Sequence, residues 1–242
     1  MRRLLPALFL LTASCAFGAY ARIAHTLQST AGTNTPAINT AGADLIVVVL
    51  SYDNAATGIG VGDSQGGHYN TYTLAATKVG SASTVAIYRA ELPAYVGSGH
   101  TFVCNGTSSY CQIYVSAYSG RGAGGGIDQV GAGASNTSGT IQPGSIAPSA
   151  SCTNELMAVG LSTGSTSAPT ISGATVTDSY QSVSGTSWGG GMADLIETSA
   201  AAFSPTWTVT SSTNAAISVS FMAADSSCVG SSTVRHRFLG EE

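Results

Sequence analysis

Asp44-Leu45-Ile46-Val47-Val48-Val49-Leu50-Ser51 returns later in the chain as Glu155-Leu156-Met157-Ala158-Val159-Gly160-Leu161-Ser162. Both segments are short, apolar at neighbouring as well as alternate positions, and bounded by polar or turn-forming residues. A helix needs a longer run with a 3.6-residue period; a strand buried on both faces needs only this. No stretch of eleven or more residues carries the helical period. Short apolar or alternating runs recur instead, separated by Gly, Ser, Asn and Pro. They predict strands at Ile23–Leu27, Leu45–Leu50, Tyr72–Ala76, Val85–Ala90, Thr101–Cys104, Gln112–Tyr118, Glu155–Leu161, Met192–Glu197, Trp207–Thr210 and Ile217–Met222. The Gly- and Ser-rich stretch 120–151 reads as a long connection with room for one or two edge strands.

Further echoes keep the same order. Asp63-Ser64 matches Asp178-Ser179, Thr101-Phe102 matches Thr206-Trp207, and Ile113-Tyr114-Val115-Ser116-Ala117 matches Ile217-Ser218-Val219-Ser220-Phe221. The expectation is an all-β protein: a two-sheet antiparallel β-sandwich of jelly-roll type with an internally duplicated strand set. The pseudo-repeats cover about 44–118 and 155–222, within a domain at 22–225 and ahead of a tail at 226–242. Tandem small domains are the other arrangement; one sandwich is favoured. Alternation along strands places Phe102, Cys104, Ile113 and Val115 in the core, with Trp207, Val209, Ile217, Val219 and Phe221.

The segments DLIVVVLSYDN, GDSQGGHYNTYTLAA, VAIYRAEL and IYVSAYSG, followed by NELMAVGLS, MADLIET and PTWTV, carry a resemblance. The chain from about Ile23 to Ala223 resembles a widespread group of exported bacterial β-sandwich proteins of uncharacterised function. The resemblance implies the fold and carries over no functional residue.

Export is also read from the residues. Arg2 and Arg3 precede the apolar stretch Leu4–Leu11, and Ala19-Tyr20-Ala21 offers small residues for a peptidase, so 1–21 reads as a signal peptide. The apolar run is too short to cross a bilayer, which takes ~20 residues. Leu11-Thr12-Ala13-Ser14-Cys15 fits a lipoprotein box poorly, so anchoring through Cys15 is not expected. Of the five cysteines, Cys104, Cys111, Cys152 and Cys228 remain beyond the leader. The pairs Cys104–Cys111 and Cys152–Cys228 suit an oxidising compartment, and a C-x2-C zinc spacing is absent. Charged residues are 8% of the chain, against ~25% in an average soluble domain. Loss of Arg2 and Arg3 moves the net charge from −4 to −6. No basic cluster exists to hold a phosphate backbone, so nucleic acid is not an expected partner.

Chemistry finds few footholds. Gly62-Asp63-Ser64-Gln65-Gly66 has the G-x-S-x-G spacing of a nucleophile elbow, and its string resembles that around the serine of trypsin-like proteases. An elbow needs a helix after the serine, and here a turn leads into a strand. Asp194 and Glu197, three apart on one strand, point to opposite faces and cannot share a sugar ring. Asp53 and Asp63 sit among Asn54, Gln65 and Asn70 and are candidate calcium ligands, although turn chemistry accounts for the same residues; no other cofactor is expected. Tyr52, Tyr69, Tyr72 and Trp188 fall in or near loops and could stack on a sugar. The expected role is a non-catalytic, secreted or cell-surface interaction module, glycan-binding or adhesive toward another surface protein. A structural subunit of a matrix or appendage, built by self-association, is the alternative. A serine or glycoside hydrolase is third.

Overall fold

A computed structural model describes residues 19–223, apart from 29, 31, 124, 150–153, 166, 173–177, 185–187, 198–201 and 211–212. The first half forms β1 (Ala21–Gln28), β2 (Leu45–Asp53), β3 (Thr57–Ser64), β4 (Thr73–Val79), β5 (Ser83–Glu91), β6 (Thr101–Thr107) and β7 (Cys111–Ser119). Then follow β8 (Gly126–Val130), β9 (Ala134–Asn136), β10 (Thr140–Ile141), β11 (Glu155–Thr163), β12 (Thr170–Ser172), β13 (Asp178–Ser184), β14 (Trp188–Glu197), β15 (Thr206–Thr208) and β16 (Asn214–Met222). The described residues contain no helix, hence none long and apolar enough to cross a membrane.

The strands make four antiparallel sheets where two were expected. One large sheet runs β1-β7-β2-β5-β4 and the other β13-β14-β11-β16-β8, with β9 also on β16. β3 pairs with β6, and β15 lies between β10 and β12. The reason is visible in β2, which is apolar on both faces because both are covered. Leu45, Val47 and Val49 pack with Leu156, Ala158, Ile217, Val219 and Phe221, so the two large sheets face each other. Ile46, Val48 and Leu50 turn the other way, into a cluster with Phe102, Ile113 and Val115 beneath Ile59 and Val61 of β3. Met157, Val159 and Leu161 of β11 likewise turn to Ile141, Phe203 and Trp207. Each fully buried aliphatic side chain of this kind contributes about 1.5–3 kcal/mol. Ile217, Val219 and Phe221 are core residues as expected, but on the opposite face of their sheet from Trp207 and Val209.

The large sheets approach closely at Gly160. A Cβ there would lie 2.8 Å from Val85 Cγ2 and 2.9 Å from Val49 Cγ1. Polar ties cross the same interface. Ser51 Oγ donates to Ser162 Oγ at 2.7 Å, and Arg22 pairs with the fully buried Asp194 at 3.2 Å. Asp194 is thus a structural anchor rather than half of a carboxylate pair; the Glu197 side chain lies outside the description.

Cys104 and Cys111 are bonded, with Cα atoms 6.3 Å apart. They do not close a hairpin. β6 belongs with β3, and β7 to the large sheet, so the bridge joins two sheets where the chain crosses between them. The crossing is fixed by Asp53, whose Oδ2 accepts from the hydroxyls of Ser108 and Ser109 and the amides of Ser109 and Tyr110. Cys152, Cys228, residues 1–18 of the expected signal peptide and the tail from 226 lie outside the described residues. Tyr20, which a cut after Ala21 would remove, is packed inside the core.

Candidate functional site

The Asp-Ser-Gln-Gly-Gly-His string is a hairpin turn. Gln65 and His68 exchange both backbone hydrogen bonds, at 2.9 and 3.1 Å. Gly66 and Gly67 between them have φ of +60° and +84°. Positive φ at both central positions matches the twist of the strands and is nearly free only for glycine. The turn delivers His68 and Tyr69 to the surface beside the segment that follows β5. There His68 stacks on Tyr95, centroids 4.6 Å apart and planes 11° from parallel.

Between them opens a cleft of about 290 Å³, walled by Tyr69, Asn70, Glu91, Leu92 and Tyr95 among others. Tyr69 is 68% exposed, Leu92 50% and Tyr95 40%, so three of the most exposed large apolar side chains share one depression. Leu92 is the one non-glycine residue with positive φ, +48°, among those described. That geometry costs about 1–2 kcal/mol for an L-residue, and the hydrogen bond from its amide to Asp44 O at 2.9 Å holds it. Glu91 is neutralised from both sides, by Arg89 at 2.7 Å and Arg121 at 2.9 Å.

The cleft is anchored from beneath. Asn70 donates through Nδ2 to Asp63 Oδ2 at 2.7 Å and to Tyr95 O at 2.8 Å, and its Oδ1 accepts the Tyr95 amide at 2.9 Å. Asp63 also accepts from the Asn70 amide and from Tyr72 OH, and lies 2.9 Å from His100 Nε2. His100 Nδ1 in turn meets Thr40 Oγ1 at 2.9 Å. Burial by itself would raise the Asp63 carboxyl, but the hydrogen bonds from His100, Asn70 and Tyr72 outweigh it and lower the group. Burial, reinforced by the Asp63 charge, pushes the Tyr72 phenol up.

Carboxylate, imidazole and hydroxyl in a row have the connectivity of a nucleophile triad. The setting does not suit attack. Thr40 and His100 are fully buried, and Thr40 Oγ1 accepts the Gly97 amide at 3.1 Å and lies 3.3 Å from Gly97 O. A nucleophile needs an open approach for the electrophilic carbon, and this hydroxyl has backbone on its free side. Ser64, the next residue along β3, points away from Asp63 by strand alternation. The row is a brace.

The other sequence candidates disperse. Tyr52 and Tyr72 lie partly buried against the inner cluster of the first half. Trp188 stacks on Tyr110, centroids 4.3 Å apart, and its carbonyl accepts from Gln112. Only Tyr69 of the four reaches the cleft. Its companions Leu92 and Tyr95 come from a segment that sequence spacing does not join to it. Asp53 ends β2 and meets Ser108 and Ser109 beyond the Thr107 end of the β3–β6 pair, whereas Asp63 lies at the other end, next to Ser64 opposite Thr101. Each carboxylate is met by N–H and O–H donors, and no group of three or more His, Cys, Asp or Glu side chains placed to hold a metal ion exists among the described residues.

No family model, curated protein or solved structure matches this chain.

Proposed function

We propose that the protein is an exported, non-catalytic interaction module that binds a glycan in the Tyr69–Tyr95 cleft. The observation that carries this reading is an exposed aromatic ledge on a rigid mount. Sugar rings present apolar C–H faces rimmed by hydroxyls, and they stack on tyrosine. Tyr69 and the His68–Tyr95 pair offer such faces. The mount matters because ordering a loop on binding costs affinity, and Asn70 ties this one to a buried brace. The charge-poor, Ser- and Thr-rich composition and the Cys104–Cys111 bridge accord with an extracellular setting. The test is a glycan array followed by calorimetry on the best ligand. Saturable binding should weaken at least about tenfold in Tyr69→Ala, a loss of ~1.4 kcal/mol, with the unfolding midpoint unchanged because the residue is exposed. Binding that survives both Tyr69→Ala and Tyr95→Ala would end the proposal.

The structural-subunit alternative has one observation of its own. β4 ends its sheet and exposes Leu74 and Val79, the kind of edge that recruits another chain. Concentration-dependent assembly that Val79→Lys abolishes would favour it.

We also read the chain as a duplicated seven-strand unit of sandwich type, one copy per half. The support is strand order: β1-β7-β2-β5-β4 and β8-β16-β11-β14-β13 are the same path with each number raised by seven or, for β2 to β7, by nine. The matches at β2/β11, β6/β15 and β7/β16 fall on corresponding strands. Asp63-Ser64 and Asp178-Ser179 do not, since one closes β3 and the other opens β13. The last pair also slips by one residue. Val115 stands opposite Val48 and Ser218 opposite Val159, so the partner of Ile217 is Tyr114. A one-residue slip exchanges faces, which is why Ile113 and Ile217 look opposite ways.

A further inference from the structure

Tyr20 is 3% exposed. Its hydroxyl donates to Met222 O at 2.8 Å, reaching from the first strand's approach to the last strand of the facing sheet. Its ring meets Tyr118 edge-on at 6.5 Å between centroids. The residue before it is fitted as closely. A Cβ on Gly120 would lie 2.4 Å from Ala19 O, and Gly120 has φ of +99°, so position 120 accepts the main chain of residue 19 only as glycine. Strand pairing then begins at once, Ala21 lying opposite Ser119. Residues 19 and 20 therefore belong to the packed body.

A signal peptidase reads small side chains one and three residues before the bond it cuts. Three frames in this stretch satisfy it: Ala19 and Ala21, cutting before Arg22; Ala16 and Gly18, cutting directly before the packed residues at Ala19; and Ser14 and Ala16, cutting before Phe17 and leaving two residues ahead of the packed body. The first discards Tyr20 and opens the end of the inter-sheet core, where Arg121, Asp44, Glu91 and Glu155 lie within electrostatic reach of its ring. We infer that the leader is removed between Gly18 and Ala19, so that Tyr20 is retained as the plug of this core. Water adds across the Gly18–Ala19 peptide bond, leaving a carboxylate on Gly18 and an α-amino group on Ala19. Ala19 is itself exposed, so the new charge stays in solvent. The inference rests on the export reading above.

The test is intact mass and N-terminal sequencing of the protein recovered from a secreting bacterial host that expresses the full 242-residue chain. A mature chain starting at Ala19 is expected. A start at Arg22, heavier loss by Ala-Tyr-Ala, overturns this inference alone, as does a start at Phe17 or a lipid-modified start at Cys15. An unprocessed chain retained in the cytosol overturns the export reading itself. Two variants sharpen the assignment. Gly18→Leu should cut processing at least tenfold, whereas Ala21→Leu, at an exposed position, should leave it unchanged; the reverse pattern overturns the assignment. As an independent readout, chains made directly from Ala19 and from Arg22 should differ in unfolding midpoint by about 10 °C in favour of the longer one. Equal midpoints would remove the premise.

Discussion

Single polar side chains hold this charge-poor molecule at its corners, and Asp53 is the clearest case. Burial would raise its carboxyl, but the Ser109 and Ser108 hydroxyls and the amides of Ser109 and Tyr110 overcome that and hold it at about 2, against an ordinary 3.8. A carboxyl depressed on folding contributes stability that is fully present above its unfolded value and is lost as pH falls through the folded one. Acid unfolding followed by circular dichroism should therefore steepen between pH about 4 and about 2. Asp53→Asn should flatten most of that limb, leaving the slope due to Asp63, which is lowered in the same direction. At pH 7 the variant should be weaker by about 1–2 kcal/mol, since charge-assisted hydrogen bonds become neutral ones. An acid limb identical to the parent's would count against Asp53 as the anchor.

Among the described elements, the crossing from β6 to β7 is the one held covalently. The bond spans a sequence separation of 7, and loop-closure entropy for so short a ring is worth about 2–3 kcal/mol. Replacing Cys104 and Cys111 by serine should lower the unfolding free energy in urea by that amount; a loss below about 0.5 kcal/mol would mean that Asp53 holds the corner unaided. Strands with branched apolar runs were readable from their residues alone, β2, β5, β7, β11 and β16 foremost. β3 was not, because Thr57-Gly58-Ile59-Gly60-Val61-Gly62-Asp63 presents glycine on its outer face and looks like a loop. Its inner residues do alternate, and at Gly62 a Cβ would fall 2.6 Å from the end of the Asn105 side chain, which would have to move. The cleft was a quarter legible. Tyr69 follows a Gly-Gly turn that could be recognised, but Tyr95 and Leu92 reach it only through a tertiary meeting of loops. Tyr52, Tyr72 and Trp188 lie apart from the cleft, packed against other side chains, because apolar rings near loops are more cheaply buried than displayed.

The molecule as a whole is two layered halves joined through their large sheets. If each half is a unit with its own inner cluster, residues 19–122 produced alone should fold around Phe102, Val48 and Val115. Their other face, with Leu45, Val47, Val49, Tyr114 and Tyr118, would then be bare and should pair with a second copy. Sedimentation should report a folded dimer; an unfolded monomer would argue that neither half stands without the other. The brace under the cleft has a different consequence. Asn70 spends both ends of its amide on Asp63 and the Tyr95 main chain, while Tyr69 projects with 68% of its surface free. Tuning what the ledge grips therefore requires no change below it: substitutions at position 69 can re-aim recognition while folding proceeds undisturbed, whereas any change at Asp63 disturbs grip and stability together. A panel of position-69 variants is thus a ready library of altered preference on one unaltered scaffold.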